Sequence, residues 1–255
     1  MDLKIAVHSD VGIKKTTNQD SVFVKTARTD YGTAALLAVC DGMGGLAKGE
    51  LASGTLVREL DRWFSFDFPA LLYQKNSMEH WQDNFKNFIT MVNRKISSYG
   101  RRNHVDMGTT MAVLLISGNR YDIVNVGDSR VYLLKEKAQQ ITKDQTFVQR
   151  EVDAGRMTVQ QARIDSRRNM LLQCVGASQT VVPDFHSGTI QKGTDFLICS
   201  DGFRHVVSED EIYSALYLQR NCTEKDMEEK LVYLTELNKK RQETDNISSI
   251  LVQCN

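Results

Sequence analysis

An α+β fold is predicted by the order in which apolar patterns succeed one another along the 255 residues. Short β-branched runs come first, a pair of helical stripes follows, then several strand-length runs in a row, a second helical pair and a final strand. Strands and helices gathered in blocks, instead of alternating one by one, argue against a parallel sheet of βαβ units. There is no internal repeat and no Pro-, Gly- or Ser-rich linker, and the only prolines are Pro69 and Pro183, so one domain over residues 1–255 is expected.

The strand-length runs are residues 5–7, 21–25, 34–40, 110–116, 121–126, 130–134, 196–199 and 247–252, several of them bounded by Gly, Asn or Asp. The clearest helix pattern covers 78–99, where Trp81, Phe85, Phe88, Ile89, Val92, Ile96 and Tyr99 recur by threes and fours. Residues 51–64 precede it, with Leu56, Leu60 and Trp63 on one stripe. Ser208 is a candidate cap for a helix carrying Ile212, Ala215 and Leu216. Thr223, followed by Asp226, opens another with Met227, Leu231, Leu234 and Leu237 turned inward.

Composition excludes several function classes. Lys+Arg and Asp+Glu both number 32, and a balanced charge argues against a general nucleic-acid binder. The N-terminus lacks an apolar signal segment, and residues 111–116 are too few to cross a bilayer, so a soluble, cytoplasmic chain with no membrane partner is expected. Five scattered cysteines form no CxxC pair and suit a reducing compartment. The five histidines (His8, His80, His104, His186, His205) show no zinc-site spacing and are expected at the surface or satisfied in the core. Neither a GxxxxGK[ST] loop nor a GxSxG elbow is present.

The informative feature is where the aspartates fall. Asp41-Gly42 ends one apolar run and Asp201-Gly202 follows another by one serine. Asp128 lies between two runs, as in a hairpin turn, while Asp20 and Asp245 lead into strands. Singly, each reads as a turn residue, because Asp caps local backbone and Gly supplies positive φ. Were these ends to converge, they would crowd negative charge that a cation relieves, and an all-oxygen donor set selects Mg²⁺ or Mn²⁺ over zinc. The glycines after Asp41 would keep the backbone open, so that a carbonyl could join the shell.

Six ordered motifs carry a resemblance: Asn18-Gln19-Asp20-Ser21, the Val39-to-Gly45 stretch VCDGMGG, Met107-Gly108-Thr109-Thr110, Val126-Gly127-Asp128-Ser129-Arg130, Cys199-Ser200-Asp201-Gly202 and Asp245-Asn246-Ile247-Ser248. In order and spacing the chain resembles the metal-dependent, protein phosphatase 2C-like serine/threonine phosphatases, in their bacterial form, over about residues 5–252. The resemblance implies a four-layer α/β/β/α sandwich of two antiparallel sheets flanked by helix pairs. It implies two Mn²⁺ or Mg²⁺ ions bridged by Asp41, with the Gly42 carbonyl completing one shell and Asp201 and Asp245 the other. Asp20 matches an acid that orients metal-bound water, Asp128 with Asp201 matches the ligands of a third ion, and about 144–176 matches a mobile flap. That flap's Arg163, Arg167 and Arg168 could equally be solvated.

Three positions depart from many relatives or choose between them. Lys15 stands where an arginine often holds the substrate phosphate, Met43 where animal relatives place a histidine, and Gln19 where some carry Glu. Gly108, Thr109 and Thr110 read as packing residues. The activity implied is hydrolysis of phosphoserine and phosphothreonine in proteins by a metal-activated water, on substrates of a Ser/Thr kinase, by a monomer. A weakly active phosphoprotein-binding module of the same fold and a metallohydrolase of small phosphate esters remain the alternatives.

Overall fold

The computed structural model describes every residue except 44–47, 74–76, 192 and 220–221. Gly44 and Gly45 of the VCDGMGG motif therefore lie outside the described residues, as does the side chain of His80. Ten strands form two antiparallel five-stranded sheets. The first holds β2 (Ser21–Thr29), β3 (Gly32–Cys40), β4 (Met111–Ser117), β5 (Arg120–Val126) and β8 (Asp184–Thr189), in that order across the sheet. The second runs β1 (Leu3–Asp10), β10 (Ile247–Cys254), β9 (Asp195–Cys199), β6 (Arg130–Leu134) and β7 (Ala138–Gln140).

Strand alternation explains why the sheets stack and still need helices outside them. Along β3, Ala35, Leu37 and Val39 face the other sheet and meet Phe196, Ile198, Ile250 and Val252 in one buried layer. The intervening Ala34, Leu36, Ala38 and Cys40 point outward under helices. There they meet α1 (Gly49–Arg62), α2 (Phe68–Leu72) and α3 (Ser77–Asn103). On the opposite face Leu197, Cys199 and Leu251 pack on α6 (Glu209–Leu216) and α7 (Glu224–Lys240). Three apolar layers thus separate four layers of structure, the α/β/β/α sandwich expected from the resemblance.

Both C-terminal helices start at capping boxes: Ser208 Oγ accepts from the Glu211 N–H, Thr223 Oγ1 accepts from the Asp226 N–H, and each acid reaches back to the cap's own N–H. The first helix runs beyond the expected residue 64. It widens into a π turn at Trp63–Asp67 and continues as α2. The extra residue per turn lets Trp63 meet Phe85 edge-on at 4.8 Å while its Nε1–H donates to Asn84 Oδ1 at 2.8 Å.

One sequence expectation is corrected. The 125–130 stretch is not a hairpin turn, since β5 and β6 lie in different sheets and residues 127–129 step from one to the other. Four elements escaped the sequence reading, namely β7, β8, α4 (Phe147–Asp153) and α5 (Val159–Ile164). The two helices belong to an excursion closed at its base, where the Phe147 N–H donates to the Met170 carbonyl and the Leu172 N–H to that of Gln145, both at 2.8 Å. This covers the region expected to be a flap. Among the described residues, no helix is long and apolar enough to cross a membrane.

Candidate metal centre

Register places the acids. Ser21 pairs with Cys40, so Asp20 and Asp41 lie side by side, one residue beyond that pair at the same edge of the first sheet. In the second sheet Ser249 pairs with Cys199, which puts Asp201 and Asp245 at the corresponding edge. The step between sheets brings Asp128 to this end as well. Five aspartates, far apart in sequence, therefore meet at one end of the seam between the sheets.

Backbone contacts fix their approach. The Asp41 N–H donates to Thr110 Oγ1 at 2.9 Å and the Thr110 N–H donates to the Asp41 carbonyl at 2.8 Å, while Thr110 Oγ1 shares a 2.7 Å bond with Ser129 Oγ. Thr110 is thus more than a packing residue, because it clamps the peptide that carries Asp41. Gly42 is pressed between two chains: a Cβ there would collide with the carbonyls of Gln19 and Gly49, and Gly49 in turn lets the start of α1 come up against Gly42. Across the seam, Asn246 takes the Gln19 N–H at 2.9 Å and donates to the carbonyls of Val11 and Thr17 at 2.9 and 3.2 Å. One amide thereby staples the 11–19 loop beside Asp245. Sequence reading quoted Asn246 within a motif without seeing this role.

The electrostatics are those of a cluster only partly compensated, since Lys15 and Arg204 reach Asp245 and Asp128 alone. Both carboxylate oxygens of Asp20, and Oδ1 of Asp201, are buried without a hydrogen-bond partner. Burial, with Asp201 and Asp245 nearby, pushes the Asp20 carboxyl up to about 7. The Ser200 and Ser248 hydroxyls pull the other way, yet neither reaches full hydrogen-bond geometry with it. Burial, together with Asp20, Asp201, Asp128 and Asp245, holds the Asp41 carboxyl well above the ordinary carboxylate range. Burial and Asp201 raise Asp128 to about 7 against the opposing pull of Arg204. Orphaned carboxylate oxygens and mutually raised proton affinities are what a divalent cation relieves. Among the described residues no three acid, imidazole or thiol groups close around one point. Ions here would each keep few protein ligands and several waters, as Mg²⁺ and Mn²⁺ do.

This predicts an unusual pH response for chelated protein. An acid whose folded pKa exceeds its unfolded value binds more protons when folded, so stability falls as pH rises between the two values. For Asp20 and Asp128 that window runs from the ordinary carboxylate range to about 7. In EDTA the Tm is expected to rise from pH 8 to pH 5.5 and to flatten when Mn²⁺ is added. A Tm that falls steadily over that interval would remove the basis for the repulsive cluster.

Lys15 is the cation nearest Asp245, its Nζ 3.1 Å from Oδ1, while Lys14 is exposed and makes no ion pair among the described residues. His205 lies between Asp201 and Glu243, 3.4 Å from a carboxylate oxygen of each. Burial works against its protonation, but Glu243 and Asp201 prevail and hold its pKa above the usual value. The sequence reading left His205 among surface or core histidines; its i,i+4 spacing from Asp201 was the signal that could have found the contact. Met43 and Gln19 both reach the site's backbone, the Met43 N–H donating to the Gly108 carbonyl and the Gln19 carbonyl accepting from Gly42. A cleft of about 520 Å³ lies beside the acids, between the flap helices and α6, and shares Arg204 and His205 with their surroundings.

The class so defined is a four-layer sandwich with an acidic centre at one end of the sheet seam. Residues 12–236 match the sequence profile of the family described as protein phosphatase 2C, and the chain belongs to that family. It is 34% identical over 222 residues to the serine/threonine protein phosphatase PstP of Mycobacterium tuberculosis, covering 85% of this chain and 39% of that relative's length. The crystal structure of the serine/threonine phosphatase Stp1 from Staphylococcus aureus matches with a TM-score of 0.87 at 28% identity, over 100% of this chain and 96% of that one. The catalytic domain of PstP, solved in complex with two manganese ions, matches with a TM-score of 0.78 at 30% identity, over 98% and 97% of the two chains.

Proposed function

We propose that the chain is a protein-serine/threonine phosphatase whose Asp41, Gly42 carbonyl, Asp201 and Asp245 hold two Mn²⁺ or Mg²⁺ ions. The observation that carries this reading is the convergence of buried acids, some with orphaned oxygens, at the seam of a protein phosphatase 2C fold. When bound, such a pair of ions acidifies a water and neutralises phosphoryl oxygens. The chain's own residues then have distinct tasks. Asp20 offers an unpaired carboxylate to orient the attacking water. Lys15 reaches the cluster from the 11–19 loop and binds the phosphate. With Met43 and no histidine at this position, the leaving alkoxide takes its proton from water. Substrates on this reading are phosphorylated proteins produced by a serine/threonine kinase.

The deciding experiment compares phosphothreonine peptide, phosphotyrosine peptide and a nucleotide, each with Mn²⁺ and with EDTA. Turnover is expected on phosphothreonine, only with metal, and restored on re-addition. Full activity after chelation would end the metal reading, and preference for the nucleotide would favour the small-ester alternative.

Lys15→Ala is expected to raise KM about tenfold with kcat little changed, since a lysine offers ground-state attraction worth roughly 1.4 kcal/mol. Lys15→Arg should lower KM through two parallel hydrogen bonds if the fork fits beside Asp245. Steady-state kinetics on the phosphothreonine peptide check both, and unchanged values in Lys15→Ala would leave the phosphate to the metals alone.

A further inference from the structure

We propose that the guanidinium of Arg204 is the resident cation on the Asp128 side of the centre, so that this chain takes two divalent ions and no third. The proposal rests on the two-ion reading above and goes against the third site that Asp128 suggested in the sequence. Arg204 follows the Asp201 turn, and its N–H donates to the Asp201 carbonyl at 3.0 Å, which fixes where the side chain starts. Its Nη2 lies 3.1 Å from the Asp128 carbonyl oxygen, 3.5 Å from Asp128 Oδ2 and 3.3 Å from Asp144 Oδ2. The side chain is only 11% exposed, so this charge does not swing out to solvent at little cost. Asp144 meanwhile accepts from Nε and Nη2 of Arg130, at 2.8 and 2.7 Å.

Charge balance separates the two halves of the site. Arg130 and Arg204 against Asp128 and Asp144 give two positive and two negative charges, so this buried group is neutral as it stands. Asp20, Asp41, Asp201 and Asp245 carry four negative charges, Lys15 pairs with the one on Asp245, and two divalent ions more than offset the rest. A third ion at Asp128 would leave two uncompensated positive charges beside a guanidinium that cannot lose its proton. The sequence carries the feature in Asp201-Gly202-Phe203-Arg204, where the arginine stands out only once the turn is seen to aim it at Asp128.

The test is calorimetric titration of the metal-stripped full chain with MnCl₂. Two ions are expected in the wild type, and Asp128→Asn should leave that number unchanged, with affinities altered less than about threefold. In Arg204→Met a third, weaker Mn²⁺ should appear and disappear again in the Arg204→Met/Asp128→Asn double variant, while Arg204→Lys should keep two. Three ions in the wild type, with one lost in Asp128→Asn, would overturn the proposal while leaving the two-ion centre intact. Binding of no ion by the wild type would instead overturn the metal reading itself, and the proposal with it. If Arg204→Met fails to fold, the wild type and Asp128→Asn decide the question by themselves.

Discussion

On the proposed two-ion reading, Asp41→Asn is expected to lower kcat/KM by about a thousandfold or more, because a ligand serving both ions would be lost. A thousandfold loss corresponds to roughly 4 kcal/mol of transition-state stabilisation, the scale of a lost metal contribution. The same change should leave the metal-free fold intact and raise its Tm, since one of the mutually repelling acids has gone. Opposite signs for activity and metal-free stability distinguish a metal ligand from a structural turn residue. The amide keeps the shape, and the backbone clamp by Thr110 does not involve the Asp41 side chain. Phosphatase kinetics in Mn²⁺ and thermal melts in EDTA supply the two readings. Retained turnover together with a lowered metal-free Tm would return Asp41 to the role of a strand-end cap.

Asp144→Ala is expected to destabilise the fold by about 3–5 kcal/mol, because it takes from two buried guanidiniums the carboxylate that both share. For a domain of this size that is a fall in Tm of roughly 6–20 °C. Burial alone would raise the Asp144 carboxyl, but Arg204 and Arg130 outweigh it and hold the pKa below the usual value. The sign follows: a depressed folded pKa gives stability that is fully present above the ordinary carboxylate range and is lost as pH falls through the lower, folded value. The wild-type advantage over Asp144→Ala should therefore be constant from pH 8 to pH 6 and shrink only in strong acid. Differential scanning calorimetry across that range checks it, and equal melting temperatures would mean that the arginines find other partners. The exposed Lys86–Asp83 pair is a useful control, as Asp83→Ala should barely move the Tm.

How much was legible in the sequence follows from which interactions are local. The α+β class, eight of the strands and the caps at Ser208 and Thr223 were readable because alternation and capping act over a few residues. The five acids were readable as strand-end residues, and their order supplied the resemblance. Strand β7 was not readable: three residues, Ala138–Gln140, are too short to show a period. Strand β8, with Asp, His, Ser and Gly among its six residues, lies half-covered at a sheet edge, where polar side chains are tolerated. Residues 125–130 misled for a related reason. Two strands with a short link look the same whether the link turns back within one sheet or steps to the next. Only the pairing of β6 with β9 decides it. Likewise, Arg204 against Asp128 follows no spacing rule, and the i,i+4 spacing of Asp201 and His205 means contact only once the turn after Asp201 is seen.

The pairing of β1 with β10 has a consequence for biosynthesis. Leu3 hydrogen-bonds in register with Cys254, and β10 is flanked by β1 on one side and β9 on the other. A ribosome delivers the chain in order, so the first strand emerges long before the partner that completes its ladder. The first sheet and its helices, drawn mainly from residues 21–126, can condense early, but the second sheet must wait for the last strand to be made. Asp245 arrives with that strand. Until then Asp20 and Asp41 face an incomplete seam. Such late closure of distant segments slows folding. It also means that the proposed centre cannot be assembled until synthesis has passed β10.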